Sequence, residues 1–228
     1  MAMAEYEMIV NSRRNPAQDV ITNIPVIEES DATGEVAALY HHFRTHFGRP
    51  DVPGILKCFA THPPLLKQIM DLSESLIFAE GALTRKHKEM IATLISAQNS
   101  CPYCADSHGF FLRVHGGNAQ TLAALQTGDL CSSGLSAAEQ ALLNFARKVN
   151  LASHQIDRED VIQLLQAGWS EVQVAEAVHV AALFSTFNRV ANAFGLTSQG
   201  VLSLCGEDAG GEQHDELSKR SSQSTPLG

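Results

Sequence analysis

The sequence predicts an all-α protein. Between Ile24 and Leu204, apolar residues recur at the three-to-four-residue spacing of amphipathic helices. Residues that favour helix starts precede many of these stretches, and glycines follow several of them. No segment shows a convincing alternation of apolar and polar residues, and no Asn-Gly turn indicates a hairpin.

The first half of the chain contains four predicted helical segments. They are Thr33 to Phe47, the short apolar run from Gly54 to Ala60, the stretch from Pro63 to Ile77, and the region from Thr84 to about Asn99. Thr84 is expected to cap the last of these, because its hydroxyl can accept a hydrogen bond from a backbone N–H of the first turn.

The second half is predicted in the same way. Pro102 occupies a first-turn position, and that helix closes at Gly116-Gly117. Ser136 and Ser170 each precede Glu or Gln by three residues, which is the pattern of a capping box. The further segments are Asn118 to Gly128, one beginning at Ser136, Asp157 to about Gly168, and a long helix or helix pair from Ser170 to Gly195.

Composition restricts the function class. The chain has 228 residues, of which 44% are hydrophobic and 18% charged, so it can bury a core without a disulfide or metal. Its net charge of −9 argues against nucleic acid and anionic membranes as partners. No stretch reaches the roughly 20 apolar residues of a membrane span. Five cysteines without a secretory signal predict the cytoplasm rather than a secreted disulfide framework.

The chain is expected to divide into three parts. They are a flexible leader over residues 1–22, an all-helical domain over residues 23–205, and a disordered, polar tail over residues 206–228. Within the domain, Leu83–Gly109 aligns without gaps with Trp169–Gly195. A degenerate repeat and chance similarity between two alanine-rich helices explain this alignment equally well.

The residues that carry chemistry lie between Glu89 and His108. If Cys101 is the N-cap of the helix that starts at Pro102, then Cys101, Cys104 and His108 share one face within about 60°. The two cysteine Cα atoms should then lie roughly 5–6 Å apart, inside the range of about 4.4–6.8 Å that disulfides require. The pair can therefore open and close with little backbone motion.

The same segment predicts reactive sulfur. A thiol in the first turn of a helix faces unpaired backbone N–H groups and the positive end of the dipole, which stabilise a thiolate. His108 lies one turn beyond Cys104 and can accept its proton. Glu89, on the preceding helix, can orient His108 or accept its proton.

Two cysteines beside a base suit two-electron redox chemistry. One thiolate attacks an electrophilic oxygen or sulfur, and the second thiol resolves the product to a disulfide. Cys104 is predicted to attack because it is nearer His108, and Cys101 is predicted to resolve. Thioredoxin-like helices attack with the first cysteine, so the reverse order stays open.

The spacing of Glu89, Cys101, Cys104 and His108 in an all-α chain resembles the AhpD-like alkylhydroperoxidase family, related to carboxymuconolactone decarboxylase. The likeness covers roughly residues 65–117, and the segment FNRVANAFG resembles the peroxidase-related branch. The resemblance implies an AhpD-like helical fold with two degenerate repeats, and a thiol-dependent peroxidase that reduces hydrogen peroxide or organic hydroperoxides. It also implies a homo-oligomer, commonly a trimer or hexamer.

The resemblance assigns roles to the four residues. Glu89 would be the relay glutamate, Cys101 the resolving cysteine, Cys104 the peroxide-attacking cysteine and His108 the relay histidine. Well-studied members have a second histidine just before the second cysteine, where this chain has Tyr103. With a pKa of about 10, tyrosine is a poor proton shuttle at neutral pH. The expected enzyme needs no metal, flavin or haem, and an external thiol or dithiol reductant must reopen its disulfide.

Other interpretations stay open. Cys101 and Cys104 could form half of a zinc site, but His108 and His115 would lie about 10 Å apart on a helix and cannot both bind one ion. The two cysteines could also be inert buried thiols. A carboxymuconolactone decarboxylase-like or isomerase-like enzyme would use His108 without the sulfurs. A non-catalytic redox-sensing oligomer would change its assembly on oxidation.

The sequence also predicts roles for the three remaining cysteines and for a group of polar residues. Cys58, Cys131 and Cys205 have neither a cysteine neighbour nor a local base, and are expected to be bystanders. A polar cluster is expected from Asn188, Arg189 and Asn192, with no indication of whether it touches the site.

Overall fold

The structure is a computed structural model that describes residues 22–131 and 134–205. In these two ranges it contains helices and no strand, which confirms the predicted all-α class. The expected tail at 206–228 lies outside the described residues, as does the expected leader at 1–22 except for its last residue.

The described ranges contain nine α-helices, numbered here in chain order. They are α1 (Gly34–Phe47), α2 (Gly54–Lys57), α3 (Pro63–Ser73), α4 (Arg85–Gln98), α5 (Pro102–Val114), α6 (Ala119–Thr127), α7 (Ala137–Ala152), α8 (Arg158–Gln166) and α9 (Glu171–Phe194). Shorter helical pieces are the π-helical segment Glu74–Phe78 and the 3-10 turns Ser153–Gln155 and Val201–Leu204. Each helix predicted from the sequence is present, and the segment from Ser170 to Gly195 forms one helix rather than a pair.

The predicted helix starts are confirmed by their hydrogen bonds. Thr84 accepts from the backbone N–H of His87. Ser136 and Ser170 form complete capping boxes, and Asp157 does so as well. These caps satisfy N–H groups that a helix leaves unpaired in its first turn, so the sequence specifies where each helix begins.

Helix α4 is the centre of the fold. Nine consecutive residues, from Lys88 to Ser96, are buried, so this helix is covered on all sides. It packs against α5, α6, α7 and α9. Any residue in this buried stretch of α4 is therefore held in a fixed position, which matters for Glu89.

The two segments of the suspected repeat differ in backbone. The first breaks into α4 and α5, whereas the second is the continuous helix α9. The break occurs at Ser100, whose φ of 50° is left-handed, and Pro102 then starts a new helix. The matching part of α9 has no proline and continues.

A buried lysine anchors the π-helical segment. Lys88 is 1% exposed, and its ammonium donates to the carbonyls of Leu76 and Ala79 at 2.8 and 3.1 Å. It also pairs with Glu176 of α9 at 2.8 Å. The charge is thus compensated inside the protein, and the segment that follows α3 is fixed to α4 and α9.

A second anchor holds the described end of the chain to α5. One carboxylate oxygen of Asp106 accepts from the backbone N–H groups of Gln199 and Val201 at 3.0 and 3.1 Å, and the other accepts from Leu202 at 2.9 Å.

Among the described helices, none is both long and apolar enough to cross a membrane.

Replacement of the buried lysine tests this account of the core. We expect Lys88→Met to lower the free energy of unfolding by about 3–5 kcal/mol, because Glu176 loses its cation and two carbonyls lose their donor. Denaturant titration measures this change. Lys67→Met is the matched control, since it removes an exposed cation paired with Asp71, and should cost less than about 1 kcal/mol. Equal costs for the two variants would contradict the anchoring role.

Candidate active site

The site begins at the break between α4 and α5. Ser100 turns the chain in the left-handed region, and Cys101 then takes the N-cap position of α5, as the sequence predicts. Asn99 holds the turn in place, because its side-chain amide donates to Asn188 and Asn150 at 3.0 and 3.1 Å. The position of the first sulfur is therefore set by contacts with two other helices, α7 and α9.

Both cysteines of the motif are reduced and buried, with 1% exposure for Cys101 and 3% for Cys104. The sulfur of Cys101 accepts a hydrogen bond from the backbone N–H of Cys104 at 3.4 Å. It also accepts from the thiol of Cys104. The two sulfurs are thus neighbours at the start of α5, as the N-cap spacing predicts.

The negative charge of the reduced pair is favoured on Cys101. The hydrogen bond from the Cys104 thiol lowers the pKa of Cys101 against the effect of burial, and contacts from Asn188 and the Cys104 N–H add to it. The same sulfur–sulfur hydrogen bond, together with burial, raises the pKa of Cys104. The helix start therefore stabilises a thiolate, but on the first cysteine rather than on the one expected to attack.

His108 and Glu89 are joined directly. The Nδ1 atom of His108 lies 2.7 Å from Oε2 of Glu89, whose side chain has no exposed surface. The other carboxylate oxygen, Oε1, accepts from Nε of Arg85 at 2.6 Å. Each oxygen of this buried carboxylate thus has its own partner.

These partners determine the charge of Glu89 and the tautomer of His108. Burial alone raises the pKa of Glu89, but the charges and hydrogen bonds of His108 and Arg85 outweigh it, so the pKa lies below its usual range. An ionised carboxylate can only accept, so Nδ1 of His108 carries the hydrogen. Nε2 is then the nitrogen that can take part in proton transfer. Of the two roles expected for Glu89, the geometry favours orienting His108.

Arg85 is a site residue that the sequence analysis missed. Its guanidinium lies 4.8 Å from the ring centroid of Phe78 and 5.7 Å from that of Phe111. It therefore fills the space between two aromatic rings and the carboxylate of Glu89. The available signal was the four-residue spacing from Arg85 to Glu89, which places the two side chains on one helix face.

Asn188 is the member of the expected polar cluster that reaches the site. It is fully buried on α9, donates to the hydroxyl of Ser96 at 3.0 Å, and contacts both motif sulfurs. Asn192 donates to the carbonyl of Asn99 at 3.0 Å and supports the turn. Arg189 donates to the carbonyl of Ser185 within its own helix. Of the three residues, one therefore contacts the site, one supports the turn between α4 and α5, and one bonds within its own helix.

A cavity of about 120 Å³ opens onto the site. Cys104 and His108 both line it, whereas Cys101 is not among its lining residues. Phenylalanine is the most frequent residue of the wall, with Phe43, Phe47, Phe78, Phe111, Phe184 and Phe187 among its members. The His108 ring stands edge-on to Phe184 at a centroid distance of 4.5 Å. The second sulfur and the imidazole thus face the same apolar space.

Tyr103 also lines this cavity. Its hydroxyl oxygen accepts a hydrogen bond from the backbone N–H of Ile55 at 3.3 Å, and burial raises the pKa of the phenol. The side chain is therefore neutral at physiological pH. This agrees with the expectation that Tyr103 does not replace the second histidine as a proton shuttle.

The structure bears on the metal alternative as well. Among the described residues, no three His, Cys, Asp or Glu side chains form a group that could hold a metal ion.

Of the remaining cysteines, Cys58 is buried, and burial raises its pKa to about 12.

The fold and the site together define an all-helical protein with a CxxC dithiol at a helix start, next to a Glu–His pair. The model of the carboxymuconolactone decarboxylase family matches residues 63–148. The AhpD core of a peroxidase-related protein from Ralstonia eutropha JMP134 superimposes with a TM-score of 0.73 at 25% identity, over 84% of this chain and 98% of that one. Residues 63–148 thus match the carboxymuconolactone decarboxylase family, and the chain has the helical fold of an AhpD core.

Two curated proteins are similar over shorter regions. Sestrin-1 of Xenopus laevis is 25% identical over 151 residues, which cover 65% of this chain and 29% of the sestrin. An alkyl hydroperoxide reductase of Mycobacterium tuberculosis (strain ATCC 25618 / H37Rv) is 30% identical over 115 residues, 50% of this chain and 32% of the reductase. The matched regions thus span about a third or less of these relatives.

The hydrogen bond between the sulfurs can be tested by titration. In Cys104→Ala, the pKa of Cys101 should rise, because its thiolate loses the donor that lowers it most. Ultraviolet thiolate absorbance against pH reports this transition. The control Cys205→Ala should leave the Cys101 transition unchanged. Burial raises the pKa of Cys205, so this thiol ionises at higher pH than Cys101. An unshifted transition in Cys104→Ala would place the stabilisation elsewhere.

The ion pairs of Glu89 predict a pH-dependent contribution to stability. Because its folded-state pKa is depressed, the contribution is complete above the unfolded-state value near 4.5 and is lost as pH falls through the folded-state value. The difference in free energy of unfolding between the wild type and Glu89→Gln should therefore shrink as the pH falls below about 4.5. Denaturant titrations across this range measure it. A constant difference would argue against an ionised, paired Glu89.

Proposed function

We propose that this protein is a thiol-dependent peroxidase that reduces hydroperoxides through the Cys101–Cys104 dithiol. The observation that carries the proposal is that Cys104 and His108 face one cavity, while Cys101 lies in hydrogen-bonding contact behind Cys104. Two relatives, an alkyl hydroperoxide reductase and a peroxidase-related AhpD core, carry names that support the same activity.

The first chemical step takes place at Cys104. Its proton passes to Nε2 of His108, directly or by way of Cys101, and the resulting thiolate attacks the outer oxygen of the hydroperoxide. The O–O bond breaks, sulfur becomes sulfenic acid, and the alkoxide takes a proton from His108 to leave as the alcohol. Glu89 keeps the imidazole oriented throughout because its carboxylate stays bonded to Nδ1.

The second step closes the disulfide. The Cys101 sulfur, after giving up any proton to His108, attacks the sulfenic sulfur of Cys104 and displaces hydroxide, which takes a proton and leaves as water. Two protons shared by the dithiol and His108 thus leave in the alcohol and the water. The sulfurs lose two electrons and the hydroperoxide gains them. An external thiol or dithiol then reduces the disulfide.

The order of the cysteines follows from exposure to the cavity. Cys101 holds the charge at rest, but it does not line the cavity and cannot meet a hydroperoxide there first. Cys104 lines the cavity and is the attacking sulfur in this proposal, with Cys101 resolving. The partners that we propose are the hydroperoxide, the reductant and further copies of this chain in a homo-oligomer, a trimer or hexamer.

A stoichiometric oxidation tests the proposal. One equivalent of hydroperoxide added to the reduced protein should remove two thiols and two hydrogens, measured by thiol titration and intact mass. Cys101→Ser should stop at a Cys104 sulfenic acid, one oxygen heavier, and Cys104→Ser should show neither change. Cys131→Ser, an exposed cysteine away from the site, is the control and should behave as the wild type.

The alternatives give different results. Thiols that stay unchanged would overturn the proposal and favour the decarboxylase-like or isomerase-like enzyme, whose activity would survive Cys104→Ser. A disulfide that forms but is not turned over with excess reductant, together with a change in oligomer size on oxidation, would favour a redox-sensing oligomer.

A further inference from the structure

Aromatic rings form a large part of the wall of the cavity. Seven of the chain's ten phenylalanines line it, together with Tyr103. Neighbouring rings meet edge to face, as Phe184 and Phe187 do at 6.2 Å and 86°. An aromatic guest can make the same edge-to-face or offset contacts with these rings, which aromatic pairs prefer over face-to-face stacking.

The size of the cavity restricts the guest. It measures about 120 Å³, and an engineered apolar cavity of about 150 Å³ binds benzene. The space therefore suits one ring or a compact branched group, and not an extended acyl chain. Phe78 lines the cavity and is 41% exposed, so this part of the wall is in contact with solvent.

The wall also contains the reactive groups. Cys104 and His108 contribute sulfur and imidazole, and the hydroxyls of Ser73 and Ser107 already donate to backbone carbonyls of their own helices at 2.7 and 3.0 Å. A guest with its oxygens toward Cys104 would leave its carbon end among the phenylalanines. Hydrogen peroxide has no carbon end and gains nothing from that wall.

We propose that the cavity selects neutral hydroperoxides whose carbon group is a single aromatic ring on a short alkyl stem. This inference rests on the proposed peroxidase function and names the substrate class of the same site. The apolar wall binds the ring, which holds the hydroperoxide oxygens against Cys104. The same wall disfavours hydrogen peroxide and excludes long-chain lipid hydroperoxides.

The substrate series is the first test. Rate constants for oxidation of the reduced protein are measured with cumene hydroperoxide, hydrogen peroxide, a linoleic acid hydroperoxide and cumene hydroperoxide bearing a ring carboxylate. We expect cumene hydroperoxide to react at least tenfold faster than each of the other three. The ring-carboxylate compound is included because Arg49 also lines the cavity and could attract an anionic group. A faster reaction of any other member would overturn the inference.

Cavity filling is the second test. Ser73 lines the cavity, so Ser73→Leu adds a branched group to the wall, and we expect the ratio of the cumene hydroperoxide rate to the hydrogen peroxide rate to fall at least tenfold. Ser75→Leu is the matched control, since Ser75 is exposed, is not a lining residue and bonds to a carbonyl four residues back as Ser73 does. It should leave the ratio unchanged, and thermal unfolding verifies that both variants fold.

The outcomes separate the two proposals. If no hydroperoxide oxidises the cysteines, the peroxidase function itself fails. If all four react at similar rates, or if Ser73→Leu leaves the ratio unchanged, the peroxidase function stands and the assignment of the substrate class fails.

Discussion

A buried carboxylate holds the site together. Glu89 lies in the second turn of α4 with no exposed surface, where an unpaired charge would cost several kcal/mol. Arg85 from the same helix and His108 from α5 each take one of its oxygens. The contact between α4 and α5 therefore has little freedom to shift, and this fixes the orientation of the imidazole and the place of the guanidinium between Phe78 and Phe111.

The break between α4 and α5 places the negative charge on one cysteine and the cavity-facing thiol on the other. Because the chain turns at Ser100, Cys101 becomes a cap that receives N–H and S–H donors, and the anion is favoured there. Cys104, one turn further along, is the sulfur that faces the cavity. One short motif thus supplies a stabilised thiolate and an accessible thiol at different positions.

The local part of this arrangement could be predicted from the sequence, and the part made by distant contacts could not. The caps at Thr84 and Cys101 depend on residues within one turn, and they agree with the structure. The Glu89–His108 pair was accessible through the family resemblance. The contact of Asn188 with Ser96 and the pair of Lys88 with Glu176 join residues far apart in sequence, and no periodicity indicates them. The location of the anion depends on such contacts too, which is why helix geometry alone did not specify it.

The low polarity of the cavity has a consequence for reactivity. The hydrogen bond to Cys101 and burial in this wall raise the pKa of Cys104, so at rest the cavity presents a neutral thiol and the charge lies behind it on Cys101. In the proposed cycle, attack then requires the proton to leave Cys104 for Cys101 or His108 when a hydroperoxide occupies the cavity. A thiol in this state is a weak nucleophile toward oxidants that do not bind there, since the thiolate is the reactive form. The apolar wall and the paired sulfurs would thus restrict oxidation to guests that the cavity can hold.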